Sequence, residues 1–291
     1  MKTWNEMYDL IVKTAAEDDR IRAATMEGSS VTKGAVHDDF SDFDVTFFVE
    51  DIREFTADRE YMKRFGDILI LQTPDDFYDE PYDYEGRSRY AFLTQYKDGN
   101  RIDLTFVDVS EIGGQTAFRE PRRVLVNKDN FPQLVEITSK ECFYIQKPGE
   151  FEFFGTVNEF RWISNYVTKG LCRHEFYYAR RMMEEYMMNM FMKMINWKVG
   201  IDHDFRVTTG ACSKYLKNYL TDEEMARFEG LFPRGSYEDM WEKLFLLYDF
   251  FEELSVYVSE KLGFALDLEE SHNVREFMEQ RRARYASEVN L

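Results

Sequence analysis

The sequence has little of what builds extracellular, membrane or metal-cluster proteins. Its longest apolar run, Leu244 to Phe251, is interrupted by Asp249 and is too short to span a bilayer. The amino-terminal residues lack the basic region and unbroken apolar stretch of an export signal. The three cysteines are scattered and lack zinc-ligand spacing, which favours idle thiols in a reducing compartment: Cys142, Cys172 and Cys212. We therefore expect a cytoplasmic protein without a membrane partner.

Positive charge is also scarce. The chain has 37 lysines and arginines against 55 aspartates and glutamates, a formal net charge of −18. Because nucleic-acid binding depends on neutralising phosphates, a nucleic acid is disfavoured as the main partner. With 291 residues, of which 44% are hydrophobic and 16% aromatic, the chain can fill one large or two ordinary domain cores. The sequence leaves the oligomeric state open.

A short glycine-containing turn follows the first predicted strand, Ile21 to Met26. Gly28 has no Cβ to block approach, so the backbone N–H groups of this turn and the Ser29 hydroxyl can face phosphate oxygens. The pattern predicts a phosphate-binding turn at the end of a strand.

Two aspartates lie on the next predicted strand, after a loop from Ser30 to Ser41. Asp42 and Asp44 are two residues apart, which places both carboxylates on one strand face, roughly 6.6 Å apart along the chain. Hard carboxylates beside a phosphate-binding turn suit magnesium-assisted chemistry on a nucleotide. Alone, the pair also fits an ordinary turn, since turns favour aspartate. Together with Gly28 and Ser29, it resembles the signature of the nucleotidyltransferase superfamily that includes DNA polymerase beta.

A predicted hairpin supplies a third acid. Asp98-Gly99 is a strong two-residue turn signal between strands over residues 89–96 and 101–109. In the second strand, apolar residues alternate with Asp103, which therefore points away from the core. Either this face is simply wet, or Asp103 joins Asp42 and Asp44 as the third metal-binding carboxylate that the superfamily resemblance implies.

The segment from Thr73 to Ser88 contains two prolines and six acids. It fits a solvated acidic connection. It also fits an anionic lip for a polycationic substrate, and the sequence does not decide between the two.

The pattern predicts an α+β protein with two domains. Helical and strand signals alternate up to Lys147-Pro148-Gly149, which predicts a mixed sheet with flanking helices over residues 1–148. Helical periodicity then dominates residues 149–291 and predicts an all-α bundle. The predicted helices cover residues 3–18, 57–65, 158–168, 171–199, 213–219, 222–230, 237–262 and 274–286.

Six segments, in order along the chain, resemble the aminoglycoside 6-adenylyltransferases, the streptomycin-modifying group. They are Glu-Gly-Ser (27–29), Phe-Ser-Asp-Phe-Asp-Val (40–45), Arg-Ile-Asp-Leu-Thr (101–105), Tyr-Val-Thr-Lys-Gly-Leu-Cys-Arg (166–173), Ile-Asn-Trp-Lys-Val-Gly (195–200) and Ser-Tyr-Glu-Asp-Met-Trp-Glu (236–242). The resemblance covers nearly the whole chain. It implies an amino-terminal nucleotidyltransferase domain and a helical substrate-binding domain, with nucleotide and drug in the cleft between them.

The resemblance also assigns roles to single residues. It implies that Gly28 and Ser29 contact the nucleotide phosphates and that Lys169 neutralises the triphosphate. It implies Mg²⁺ ligands at the three aspartates already named. Glu175 is a candidate contact for an aminoglycoside ammonium group, with Trp162 and Tyr166 as candidate walls. One departure is Ser30, where members of the family often have arginine.

The implied reaction is attack of a drug hydroxyl on the α-phosphorus of ATP, with Mg²⁺ stabilising the attacking and leaving oxygens. Asp103 either accepts the hydroxyl proton or serves only as a metal ligand, and the sequence does not separate these roles. The acidic composition suits a polycationic acceptor. The alternatives are transfer to another small molecule or a protein side chain, and a non-catalytic nucleotide-binding module.

Overall fold

The protein consists of two compact units, Met1–Cys142 and Phe143–Leu291. The computed structural model describes residues 2–32, 38, 40–56, 58–76, 88–117 and 120–289. Most of the acidic segment, residues 77–87, lies outside the described residues. The choice between an acidic connection and an anionic lip for a substrate therefore stays open. The fold is α+β, as the sequence predicts, with a mixed sheet followed by helices.

The first unit is built on a six-stranded sheet in the order β3-β4-β5-β2-β1-β6. Its strands are β1 (Ile21–Glu27), β2 (Phe43–Val49), β3 (Ile68–Gln72), β4 (Arg89–Tyr96), β5 (Arg101–Asp108) and β6 (Arg122–Asn127). The pair β2–β5 is parallel, and every other pair is antiparallel. The turn between β4 and β5 forms where predicted, with Gly99 at φ +94°.

Alternation along the strands separates a core face from a functional face. Phe43, Val45 and Phe47 on β2 are buried in the main core of the unit. Ile102, Leu104 and Phe106 on β5 join the same core, so their neighbours in sequence point to the opposite face. That opposite face carries Asp44 and Asp103.

Helices and turns cover the core face. Helix α1 (Trp4–Glu17) begins at Thr3, whose side chain and that of Glu6 form a reciprocal capping box. Helix α2 (Arg53–Thr56) is short, and the predicted helix over residues 57–65 is a 3₁₀ helix, Arg59–Phe65. Strand β6 was not predicted, since Arg122–Asn127 has no clear apolar alternation; its pairing with β1 creates it.

All regular secondary structure that the structure describes in the second unit is helical. It contains α3 (Glu150–Cys172), α4 (Phe176–Arg181), α5 (Met188–Asp202), α6 (Asp222–Glu229), α7 (Tyr237–Leu262) and α8 (Leu268–Val289). A π-helical turn, Met182–Met187, joins α4 to α5. None of the described helices is both long and apolar enough to cross a membrane.

The predicted helix boundaries were wrong in several places. Helix α8 begins at Leu268, six residues before the predicted start at Val274. Helix α3 starts earlier than Asn158 and continues through the predicted break, and the chain instead turns at Arg173–Glu175, where His174 has φ +60°. The predicted helix over residues 213–219 consists of two short 3₁₀ turns, Ala211–Ser213 and Leu216–Asn218. Apolar spacing does not reveal where a neighbouring helix forces the chain to turn.

A buried ion network crosses the core of the helical unit. Arg161 on α3 donates two hydrogen bonds to Glu252 on α7, at 2.9 and 2.7 Å, and one to Glu270 on α8 at 3.2 Å. Phe160 stacks on Phe251 beside it, with ring centroids 3.6 Å apart. A buried guanidinium must be paired, and these bonds join α3 to α7 and α8.

Candidate active site

The pairing of β2 with β5 brings the three predicted aspartates to one place. Asp44 and Asp103 are register partners in the parallel pair. Asp42 precedes β2 by one residue and lies two residues before Asp44, so it faces the same side. We call Asp42, Asp44 and Asp103 the carboxylate cluster.

Arg101 connects two members of the carboxylate cluster. Its Nε donates to Asp103 Oδ1 at 3.0 Å and its Nη2 donates to Asp103 Oδ2 at 2.7 Å. Its Nη1 lies 3.5 Å from Asp42 Oδ2. The Arg101 guanidinium thus contacts Asp103 on β5 and Asp42 immediately before β2.

Asp44 is an acid of the cluster whose pKa is raised. Desolvation, together with the negative charges of Asp103 and Asp42, raises the pKa of Asp44 to about 6, and Arg101 acts in the opposite direction. Like charges held close together disfavour full ionisation. A cation bound beside Asp44 would therefore relieve a repulsion that the fold has built in.

The cluster fits a magnesium ion that is completed by substrate oxygens. Among the residues that the structure describes, no three His, Cys, Asp or Glu side chains form a ready-made metal cage. Mg²⁺ is usually held by one or two carboxylates together with substrate phosphates and waters. The hard oxygen donors and the raised pKa of Asp44 match that kind of site.

Gly28 lies directly against the carboxylate cluster. Its φ is +85°, and a Cβ built there would be 2.7 Å from Asp44 Oδ2. Only glycine combines this backbone with this approach, so the predicted phosphate-binding turn and the acidic strand meet here. A 3₁₀ turn, Ser29–Val31, follows, and the Ser30 hydroxyl donates to the Glu27 carbonyl oxygen at 3.3 Å. The Ser29 side chain lies outside what the structure describes.

Three of the four predicted residues of the helical unit lie on one stretch of α3. Trp162 Nε1 donates to Tyr166 Oη at 3.0 Å, and the Lys169 ammonium lies 4.7 Å from the centre of the Tyr166 ring. The Tyr178 ring of α4 lies 5.9 Å from the same ammonium. We call Trp162, Tyr166, Lys169 and Tyr178 the Lys169 group.

Gly170 explains how Tyr178 comes so close. A Cβ at Gly170 would be 2.9 Å from Tyr178 Cδ1 and 3.0 Å from Ala179 Cβ, so α4 can pack here only against glycine. Glu175 precedes α4, and its backbone amide donates to the Gly170 carbonyl oxygen at 2.8 Å. Its side chain is exposed. The structure thus joins Glu175 to this stretch through the backbone.

Comparison with known proteins decides the family. The sequence model described as streptomycin adenylyltransferase matches residues 1–281. The chain belongs to the streptomycin adenylyltransferase family. It is therefore an adenylyltransferase, and its carboxylate cluster is the candidate active site of that enzyme class.

Relatives in the family match over almost their whole length. An aminoglycoside 6-adenylyltransferase of Campylobacter jejuni is 33% identical over 92% of this chain and 92% of its own. One from Bacillus subtilis strain 168 is 29% identical over 91% and 93%. A solved structure of an aminoglycoside 6-adenyltransferase from Bacillus subtilis covers 97% of this chain and 99% of its own, at 26% identity and a TM-score of 0.48.

Sequence reasoning missed two residues of this family member's site. Arg101 was identifiable, because it lies two residues before Asp103 on the same strand face. Glu27 is the register partner of Asp44 and accepts hydrogen bonds from the hydroxyls of Thr25 and Thr46. Burial raises the pKa of Glu27 to about 7. Glu27 stands in the Glu-Gly-Ser segment that resembles the family, but the sequence assigned it no role, because its surroundings come from three strands.

Proposed function

We propose that the protein transfers AMP from ATP to a hydroxyl group of an aminoglycoside of the streptomycin type, releases pyrophosphate, and requires Mg²⁺. The observation that carries this proposal is the convergence of Asp42, Asp44 and Asp103 beside Gly28 in a chain of this family. We assign nucleotidyl transfer to residues 1–148 and recognition of the acceptor to residues 149–291.

The nucleotide is proposed to bind through its phosphates. The backbone N–H groups of the Gly28-Ser29 turn can donate to phosphate oxygens, because the positive φ of Gly28 opens the turn and no Cβ blocks it. Lys169 is proposed to neutralise part of the triphosphate charge. Its ammonium is exposed and lies against a tyrosine ring, and it has no ion-pair partner within the described part of the chain.

Asp42 and Asp44 would hold the magnesium ion, with Asp103 as the third carboxylate. Bound there, the ion supplies positive charge to the transferring phosphoryl group and to the departing pyrophosphate. The chain's own contribution is to keep its carboxylates on one rigid strand pair, so that little reorganisation is needed when the substrate arrives.

The hydroxyl proton must leave as the new O–P bond forms and the bond between the α- and β-phosphates breaks. Asp103 is the proposed acceptor or an additional metal ligand. Both of its oxygens already accept hydrogen bonds from Arg101. Each oxygen has a second lone pair, so Asp103 can take up a proton while its hydrogen bonds from Arg101 remain.

The acceptor is proposed to be a polycation with sugar rings. The net charge of −18 attracts such molecules. Trp162 is 58% exposed, so it can cover an apolar sugar face, with Tyr166 beside it and Glu175 available for an ammonium group. The names of the curated relatives support an aminoglycoside as acceptor.

The test is incubation of the protein with ATP, Mg²⁺ and streptomycin. We expect pyrophosphate in proportion to a drug product whose mass has increased by one AMP group, and no product when EDTA is present. The matched control is Asp44→Asn, with circular dichroism to verify its fold.

The outcomes separate the alternatives. Pyrophosphate without a modified drug would indicate another acceptor, which a panel of aminoglycosides and other hydroxyl compounds would identify. Absence of both products from a folded protein, with every acceptor, would overturn the proposal and favour a non-catalytic nucleotide-binding module.

A further inference from the structure

Arg101 has a contact pattern that local geometry alone does not explain. It lies two residues before Asp103 on β5, and its guanidinium also reaches Asp42, which immediately precedes β2. We propose that Arg101 is the built-in cation of the carboxylate cluster: it holds Asp103 and Asp42 together, and it competes with a divalent cation for them. The inference deepens the proposed function, since that cation is the proposed Mg²⁺.

Charge balance is the first argument. The carboxylate cluster holds three acids, and Arg101 is the cation that contacts two of them. The hydrogen bonding to Asp103, together with the negative charges of Asp103, Asp42 and Asp44, raises the pKa of Arg101, so the three acids act on one guanidinium. Without Arg101, the three carboxylates would lose the cation that Asp42 and Asp103 share, and like charges held close together destabilise the fold.

The second argument is that the two halves of the contact differ in strength. Asp103 is held by two hydrogen bonds of 3.0 and 2.7 Å, whereas Asp42 lies at 3.5 Å from a single Nη. The Arg101 and Asp42 side chains are 41% and 42% exposed, and exposed ion pairs are weak. Arg101 can therefore release Asp42 at low cost while it keeps Asp103 oriented.

A comparison within the chain shows what is special here. Arg53 binds Asp51, two residues away, through the same forked geometry, with Nε at 2.8 Å from Oδ1 and Nη2 at 2.6 Å from Oδ2. Arg53 is 70% exposed and is paired with this one carboxylate. An arginine and an aspartate two residues apart can therefore form this forked pair elsewhere on the surface as well. Arg20 forms the same fork with Asp18 and also lies 3.8 Å from Glu54, so a second carboxylate contact is not unique. What distinguishes Arg101 is that both of its carboxylates belong to the carboxylate cluster.

The test measures cation binding by the nucleotide-free protein, with Mn²⁺ as the probe for electron paramagnetic resonance or calorimetry. Arg101→Gln is expected to bind Mn²⁺ about threefold to tenfold more tightly than the parent, because a competing charge is gone. Arg101→Lys keeps the charge but not the fork, so its affinity should lie between those of the parent and Arg101→Gln. Arg53→Gln is the matched control and should bind like the parent.

Thermal unfolding gives a second readout on the same proteins. Arg101→Gln should unfold at a lower temperature than the parent in EDTA and recover most of the difference in Mn²⁺, since a ligand that binds only the folded state stabilises it. A purely structural arginine would lower the unfolding temperature equally with and without Mn²⁺.

Two results would overturn the inference. One is a folded Arg101→Gln variant that binds Mn²⁺ no more tightly than the parent, and the other is the absence of Mn²⁺ binding to both proteins. Neither readout uses ATP or an acceptor, so failure of the proposed transfer reaction remains a separate result.

Discussion

The carboxylate cluster of the sheet and the Lys169 group of the helical unit differ in what holds their charges in place. In the sheet, strand register places the carboxylate of Asp44 opposite that of Asp103. Arg101 offsets part of this negative charge. On α3, one ammonium lies against aromatic rings. In the sheet, the carboxylates repel each other, and a bound cation would relieve this repulsion. In the helical unit, the Lys169 ammonium contacts aromatic rings.

The largest expected effect is on transfer by the carboxylate cluster. Asp44→Asn keeps the size of the side chain but removes the charge, so kcat should fall by about 10²- to 10³-fold, as it does when one preorganised electrostatic contact is lost. Steady-state pyrophosphate release measures it. Asp51→Asn, at an exposed ion pair, is the control and should keep parental kcat. Parental turnover by Asp44→Asn would remove the carboxylate cluster from the chemistry.

The next effect concerns the contact of Gly28 with the cluster. Gly28→Ala should lose activity about 10- to 100-fold, because its Cβ would push Asp44 aside. Gly263→Ala is the matched control, since Gly263 has φ +74° but open space around it. Both variants should lose about 1 kcal/mol of stability from the strained backbone. Equal activity in the two variants would contradict a role for the approach to Asp44.

The pH dependence of thermal stability tests the repulsion between Asp44 and the other carboxylates of the cluster. The folded-state pKa of Asp44, about 6, lies above the ordinary value, so the folded protein binds more protons than the unfolded chain between about pH 4 and 6. The contribution of Asp44 to stability is therefore favourable at low pH and is lost as the pH rises through 6. In EDTA, Asp44→Asn should unfold at a higher temperature than the parent at pH 8.

The pH 4 measurement is the internal control for this prediction. There the Asp44 carboxyl is protonated in the folded parent, so the advantage of Asp44→Asn should vanish. An advantage of the same size at pH 4 and pH 8 would mean that packing and not charge is responsible.

The smallest effect belongs to the Lys169 group. Tyr178→Leu removes one aromatic ring near the ammonium, and an exposed cation–π contact contributes about 0.5–1 kcal/mol. The KM for ATP should rise about twofold to fivefold with little change in kcat. Tyr178→Phe keeps the ring and should behave like the parent. A parental KM in Tyr178→Leu would show that α4 does not position Lys169 for the nucleotide.

Much of the sheet followed from local sequence. The turn at Asp98-Gly99 and the apolar alternation of β2 and β5 are local signals, and both elements formed where expected. The break after α3 was less accessible. It occurs at His174, with no proline nearby, and it depends on how α4 packs against Gly170. Packing between helices leaves little trace in local periodicity.

The sequence by itself determined which side of its strand each aspartate faces, because side chains alternate along any strand. It also determined the acidic surplus and the glycine at the turn. Only the tertiary structure decided that β5 lies beside β2 in the register that opposes Asp103 to Asp44, and that Arg101 reaches Asp42. Strand pairing joins residues far apart in the chain, so no local pattern specifies it.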